Sequence, residues 1–300
     1  MYKISFIIIC FYLCLNSLHA QDLDQLLTQT TGNETEYTTA TFKSTHIVNG
    51  HSIEQMKAGE LDIRFSHRFG TLNEGAYKLW GLDEANVHFG GDYGITDWLM
   101  VGVGRGTYEK TYDGLIKFSL LRQSHGAKNR GFSLSFLMAT SVNTLTPNDM
   151  VLPAGSKVYF WDRVSFINQL LLARKFNERF SLEINPTWIH RNMSLTEMDP
   201  NDVLSVGLGL RFKLSKRISF NAEYYGVIPP LRDYRTKTYD AFAIGFDIET
   251  GGHVFQIMFT NSLSMTEKGF ITETTGQWGK KDIHLGFNIS RVFTVKKDKH

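Results

Sequence analysis

The sequence predicts an all-β fold: a transmembrane antiparallel β-barrel of about 12 strands, with short turns at one end and long loops at the other. Three observations carry that prediction. Segments of roughly ten residues alternate apolar and polar side chains with period two almost to the end of the chain, as strands with two unlike faces require. Connection lengths alternate as well: about two to four residues after the second, sixth, eighth and tenth segments, but about twelve to eighteen after the first, fifth, seventh, ninth and eleventh. Aromatic residues gather at the segment ends, as two membrane interfaces would favour.

The segments follow in order. From Gly59, Leu61, Ile63, Phe65 and Phe69 alternate with Asp62, Arg64, Ser66 and Arg68. The second segment (86–94) sets Val87, Phe89 and Tyr93 on one face. The third (98–106) sets Leu99, Val101 and Val103 against Gly102, Gly104 and Gly106. The fourth (112–122) and fifth (131–141) repeat the rule, with Lys117 on the polar face of the fourth. The sixth (160–174) is the least regular, because Asn168 falls on its apolar face. Phe180, Leu182, Ile184 and Trp188 alternate with Ser181, Glu183, Asn185 and Thr187 in the seventh (179–188). The eighth (203–214) places Arg211 and Lys213 opposite Leu208, Leu210 and Phe212. Segments at 218–226, 239–250, 253–260 and 278–293 complete the set. No amphipathic helix separates them, which excludes parallel βαβ folds.

A soluble sandwich is the competing architecture. Its core aromatics would scatter along the strands, whereas here they sit at the ends. Trp98, Phe180, Phe212 and Phe293 fall at the short-turn side; Trp161, Trp188 and Trp278 fall at the long-loop side. Five of six prolines fall in the long loops, where no ladder donor is lost. The expected organisation is a signal peptide over 1–20, a polar segment over 21–57, the barrel over 58–294 and a tail over 295–300. The polar segment carries a short predicted helix at Asp22–Thr28 and an Asn49-Gly50 turn signal; it sits in the periplasm or folds into the lumen as a plug.

Composition narrows the partners. A formal net charge of +2 offers no basic tail for nucleic acid, so no nucleic-acid partner is expected. A mean hydropathy of −0.20 excludes a bundle of membrane helices, each needing an apolar run of about 20 residues. The one long apolar run, Ile4 to Leu18, follows Lys3 and precedes Ala20, the pattern of a secretory signal cleaved near Ala20. It contains both cysteines, Cys10 and Cys14, so the exported chain is expected to lack disulfides and thiolates.

Several blocks carry a resemblance: Ala40-Thr-Phe-Lys43, Ile47-Val-Asn-Gly-His51, Phe65-Ser-His-Arg-Phe-Gly70, Tyr93-Gly-Ile-Thr-Asp97, Val101-Gly-Val-Gly-Arg105 and Tyr108 through Gly114. Together they resemble an uncharacterised outer-membrane β-barrel family of Bacteroidetes, a domain of unknown function. The likeness is dense over 40–123 and extends to Gly286-Phe-Asn-Ile-Ser-Arg-Val-Phe293. It implies a fold and an outer-membrane location, with outer-membrane lipid, lipopolysaccharide and the barrel-assembly machinery as partners. It brings no substrate and no catalytic residues.

Function is then sought in the lumen. Twelve strands at about 4.8 Å spacing and about 40° tilt give a backbone radius of about 12 Å, leaving a gap of about 5 Å radius inside the side chains. Parity turns Asp62, Asp92, Glu183, Glu223, Asp247, Glu249 and Asp282 inward against Arg64, Arg68, Lys117, Arg163, Arg211 and Lys213. Neither sign dominates, so no strong ion selectivity follows. Two readings stay open: a narrow channel for a small solute, and a closed structural barrel whose charges pair with one another.

Other chemistry is weaker in the sequence. A lipid hydrolase would need a Ser, a His and an orienting Asn or Asp at the outer rim; His190, Asn192 and Ser194 are at that level, but in a loop where such proximity is common. His46, His51, His67 and His88 match no zinc spacing, and neither a metal nor a cofactor is expected. Gly102, Gly104 and Gly106 lack the helix a dinucleotide loop needs, and are better read as room for bulky inward neighbours. Arg105 faces outward by parity near the outer rim, where lipopolysaccharide phosphates lie, unless a bulge turns it inward.

Overall fold

The computed structural model describes residues 34–150, 157–194, 199–229 and 237–296. The signal segment, the predicted helix at Asp22–Thr28, Pro153, Pro230 and most of the tail lie outside them. Twelve strands form one closed antiparallel barrel in which each pairs with its chain neighbours and the last returns to the first. They are β1 (Glu60–Thr71), β2 (Ala85–Thr96), β3 (Leu99–Gly106), β4 (Tyr112–Leu121), β5 (Ser133–Val142) and β6 (Val164–Lys175). The second half comprises β7 (Phe180–Arg191), β8 (Asp202–Lys213), β9 (Ile218–Ile228), β10 (Ala241–Thr250), β11 (His253–Thr260) and β12 (His284–Thr294). Closure leaves no sheet edge, which is what a strand protein needs where water cannot satisfy its backbone. Among the described residues no helix is long and apolar enough to cross a membrane.

The short-turn end is tight because the sequence places glycine where the turn needs it. Between β10 and β11 the turn is Gly251-Gly252, with φ of 38° and 110°. Such a two-residue connection matches the strand twist only with positive φ. Pro186, inside β7, donates nothing to the ladder, and the β6–β7 register has no partners for Leu170 and Leu171 beside it.

Two predicted strand starts are corrected. β6 begins at Val164 rather than 160, and Trp161 stands in a 3-10 turn, Trp161–Arg163, ahead of it. β12 begins at His284 rather than 278; Trp278 belongs to a second 3-10 turn, Trp278–Lys280. The irregular pattern of the sixth segment also finds its cause. Ile167, Leu171 and Ala173 point inward and are buried, while Leu170 and Leu172 point outward and are exposed. The inner face of β6 sets Ile167, Leu171 and Ala173 beside Ser165 and Gln169, because it meets apolar side chains inside the barrel.

Those side chains come from outside the strands. Thr35–Tyr37 pairs with Ser124–Gly126 at the turn between β4 and β5. The chain then enters the barrel and folds as a hairpin whose arms close through Ser52 N–H to Thr45 C=O (2.9 Å) and Ile47 N–H to Gly50 C=O (2.9 Å). It returns to the same rim, where Ala58 N–H donates to the Asp97 carboxylate (3.1 Å) and Gly59 N–H to Gly94 C=O (2.8 Å). From the long-loop end, residues 261–283 fold inward and carry a short helix, α1 (Glu267–Thr272).

Two apolar clusters fill the interior. Phe42, Ile47, Val48 and Ile53 of the hairpin pack with Leu171, Ala173, Ala243 and Met258 of the wall. Phe270 and Ile271 of α1 pack with Ile167, Ile189, Val203, Tyr225, Val227 and Ala241. A closed barrel with every strand paired and its interior filled is expected to keep its fold in detergent until heated. Unboiled protein is therefore expected to run ahead of boiled protein on a denaturing gel; a single position under both conditions would contradict the closed barrel.

Candidate functional site

The candidate site is the lumen, and its wall is built by strand parity. Glu223 lies at the middle of β9, and its carboxylate accepts three consecutive hairpin N–H groups: Val48 (3.1 Å), Asn49 (2.8 Å) and Gly50 (3.2 Å). Such charge-assisted bonds are among the stronger ones available to a protein. Glu183 on β7 accepts from Ile53 N–H at 2.6 Å. Lys117 on β4 donates to the carbonyls of Ser52 and Glu54, both at 2.5 Å. Arg211 on β8 donates to the carbonyls of Ala40 (3.1 Å) and Thr41 (3.4 Å).

Most of the remaining wall charges meet hairpin side chains. Thr45 donates to Asp92 (2.8 Å) and, at 3.5 Å, to Asp62, and accepts from Arg64 (3.0 Å). Arg68 donates to the Asn49 side-chain carbonyl (2.9 Å). Lys43 pairs with Glu249 at 2.6 Å. Asp247 accepts from Gln256 (2.8 Å), whose amide also donates to Ile47 C=O (3.0 Å). Among these inward acids and bases, in the described residues, one ion pair joins wall to wall, Arg64–Asp92 at 3.4 Å. The charges are thus satisfied by the hairpin more than by one another.

Two charges read as inward sit elsewhere, and a third, Lys213, keeps the parity of Arg211 at the very end of β8. Lys213 lies half-buried at the rim, beside Glu178, Arg179 and the turn after β8. Arg163 donates to Leu145 C=O in the long-loop region, and Asp282 accepts from Asn73 there. Parity fails for both because neither belongs to a strand.

Glycines shape the lumen around these groups. A Cβ on Gly209 would come within 2.1 Å of Ile47 Cδ1, and one on Gly50 within 2.1 Å of the Tyr225 hydroxyl. A Cβ on Gly102 would meet Asp92 at 2.4 Å and one on Gly104 would meet Asp113 at 2.5 Å. The glycine run of β3 is room for neighbouring side chains. Arg105 stays in register with Phe89 and Tyr112, without a bulge. It faces outward, its guanidinium 5.5 Å from the Tyr112 ring.

Hairpin and inward loop meet at the centre. His51 Nε2 lies 3.4 Å from the Glu267 carboxylate of α1, and the rings of Tyr225 and Phe270 cross at 5.0 Å. Between them is a polar cavity of about 30 Å³ lined by His46, His51, His88, Asp92, Asp113 and Glu267 among others, room for about one water. His88 Nε2 contacts Asp113 at 2.7 Å. Burial, and the Arg64 and Lys117 cations after it, hold the His46 and His51 imidazoles well below the usual histidine range. Among the described residues no group of three or more His, Cys, Asp or Glu is arranged to hold a metal. His67 points outward and stacks on Phe287 at 5.2 Å.

The predicted girdle aromatics are placed at both ends. Trp98 stacks on Phe118 (6.3 Å), Phe180 packs on Phe176 (5.7 Å), Phe293 lies under Arg291 (4.9 Å), and Phe212 is exposed. At the other end Trp188 donates to Asp202 (3.0 Å), Trp161 packs edge-on against Phe160 (5.4 Å), and Trp278 donates to Phe242 C=O (3.1 Å). His190 also pairs with Asp202, at 2.8 Å, while the Asn192 amide holds Trp161 C=O.

An apolar outer belt between aromatic rings, round a polar lumen closed from both ends, defines a membrane β-barrel occluded by its own chain. The chain belongs to the family described as membrane bound beta barrel domain (DUF5777), whose model matches residues 42–293. No curated protein sequence matches it. Among solved structures it is similar to the NanC porin, at 10% identity over 79% of this chain and 100% of that one, with a TM-score of 0.47. The KdgM porin gives 6% identity, 78% and 99% coverage and a TM-score of 0.46. The Acinetobacter baumannii outer membrane protein Omp33 gives 7% identity, 78% and 98% coverage and 0.38. No residue role passes from these likenesses to this chain.

Two outcomes follow from the site. Glu223→Ala strips the acceptor from three buried N–H groups, each loss costing about 1–3 kcal/mol. Hydrogen exchange at Val48, Asn49 and Gly50 is expected to accelerate by at least about tenfold, and by less in Glu223→Gln. Burial, with Asp113 nearby, pushes the Glu267 carboxyl from 4.5 up to about 8. The docked loop therefore holds a proton that the undocked loop releases, so docking weakens as pH rises from 4.5 to about 8 and no further above it. A spin label at the exposed Thr275 is expected to gain mobility across that window.

Proposed function

We propose that this protein is an outer-membrane channel for a small solute, held shut at rest by its N-terminal hairpin on the periplasmic side and by the 261–283 loop on the outer side. Export with cleavage near Ala20 and contact of the aromatic rings with lipid and lipopolysaccharide belong to the same reading. The observation that carries it is the polarity of the wall. Burying paired charges stabilises a protein no better than packing apolar groups of the same size, and often less well. A barrel meant only to be filled would do better with an apolar interior. A wall carrying Asp62, Arg64, Arg68, Lys117, Glu183 and Glu223 stays compatible with water once the hairpin is gone.

A permanently closed barrel is the second reading, favoured by the two apolar clusters that cross the lumen. The lipid-hydrolase alternative has less support, since the Asn192 amide is engaged by Trp161 C=O.

Planar-bilayer conductance separates the first two. The full mature chain is expected to be silent. Removal of residues 21–57, combined with Lys268→Ala to break the 2.9 Å pair between Lys268 and Glu109 that holds the inner loop, is expected to produce discrete steps. Silence in both, with the gel shift of a folded barrel retained, would leave the closed barrel standing instead.

A further inference from the structure

The contacts that seat the hairpin fall mostly on its main chain. Four N–H groups, of Val48, Asn49, Gly50 and Ile53, go to Glu223 and Glu183. Six C=O groups accept from the wall: Ala40 and Thr41 from Arg211, Ile47 from Gln256, Val48 from Asn288, and Ser52 and Glu54 from Lys117. The six wall residues stand on six different strands, β4, β7, β8, β9, β11 and β12. Beside them the wall provides apolar seats for aliphatic side chains, with Ile47 against Gly209 and the Leu171, Ala173, Ala243 and Met258 cluster.

Every peptide carries these N–H and C=O groups, whatever its sequence. Carboxylates aimed at N–H groups, with cations and amides aimed at C=O groups, form a surface for an extended polypeptide. The hairpin's own side chains add contacts at Lys43, Thr45, His46, Asn49 and His51, but the ten main-chain contacts need no particular residue. We infer that the lumen recognises peptide main chain, that the solute class is a short peptide with aliphatic side chains, and that the hairpin is its intramolecular stand-in. The inference rests on the channel reading for how a peptide reaches the lumen, but its binding step is measurable by itself.

The experiment uses the full mature chain and a Gly50→Val variant, whose added side chain collides with Tyr225 and loosens the hairpin tip. Gly209→Ala, which collides with Ile47 instead, replaces it if the first variant lacks the gel shift of a folded barrel. The probes are a fluorescent peptide with the sequence of residues 44–54, a scrambled-order version, a version with N-methylated main chain, and maltotriose. Fluorescence anisotropy is expected to show the native-order and scrambled peptides binding the variant within about threefold of each other, and more tightly than the unaltered protein. N-methylation is expected to weaken binding by at least about tenfold, since it removes the donors that Glu223 and Glu183 would engage. Maltotriose is expected not to compete.

Equal binding of the N-methylated peptide, loss of binding on scrambling, absence of peptide binding, or effective competition by maltotriose would each overturn the inference. Conductance of the same variant keeps the two readings apart. Ion steps without peptide binding remove the peptide inference and keep the channel; peptide binding in a silent barrel does the reverse.

Discussion

Everything in this structure follows from a mismatch of size. Twelve tilted strands enclose a bore too wide for their inward side chains to fill, and those side chains include carboxylates, guanidiniums and an ammonium that must be solvated or bonded. The chain resolves the mismatch by sending its own backbone inside. A hairpin from one rim and a loop from the other supply N–H groups to the acids and C=O groups to the bases. Glu223, with three N–H donors on one carboxylate, is where that exchange is most concentrated.

The outer surface answers to a different solvent and is correspondingly simple. Phe89, Val103, Leu204, Leu208 and Phe246 all point outward and are exposed, as an apolar surround favours. Polar exceptions are few and are handled locally. His67 lies flat against Phe287, and Arg105 lies near the Tyr112 ring at the rim. The two faces of each strand are therefore under separate constraints, which is why the chain as a whole has an unremarkable composition.

That separation explains what was legible in the sequence. A strand with one lipid face and one polar face writes its register into every second residue, so the twelve strands, the parity of strand residues such as Asp62, Lys117, Glu183 and Glu223, and the role of Gly102 and Gly104 can be read directly. β6 is ambiguous because the hairpin draws Leu171 and Ala173 onto its inner face, weakening the contrast between its two sides. Trp161 and Trp278 sit at the expected level but in turns, which carry no period. The hairpin's partners were illegible for a deeper reason. Its main-chain N–H and C=O groups are the same at every position, so nothing in the residue types of 44–54 announces that Glu223 or Lys117 will bind there. The Asn49-Gly50 turn signal and the apolar Ile47-Val48 pair beside it were the only local hints.

The hairpin has both feet on one rim, at Thr35–Tyr37 against Ser124–Gly126 and at Gly59 against Gly94. It can leave the bore only as a bent loop, and a loop so tethered never diffuses away. Its local concentration at its own seat is on the order of millimolar, as for a short flexible link. Reclosure is thus a first-order event, indifferent to protein abundance. Any free molecule that occupies the bore must be present, or bind, strongly enough to outcompete a rival that is always at hand.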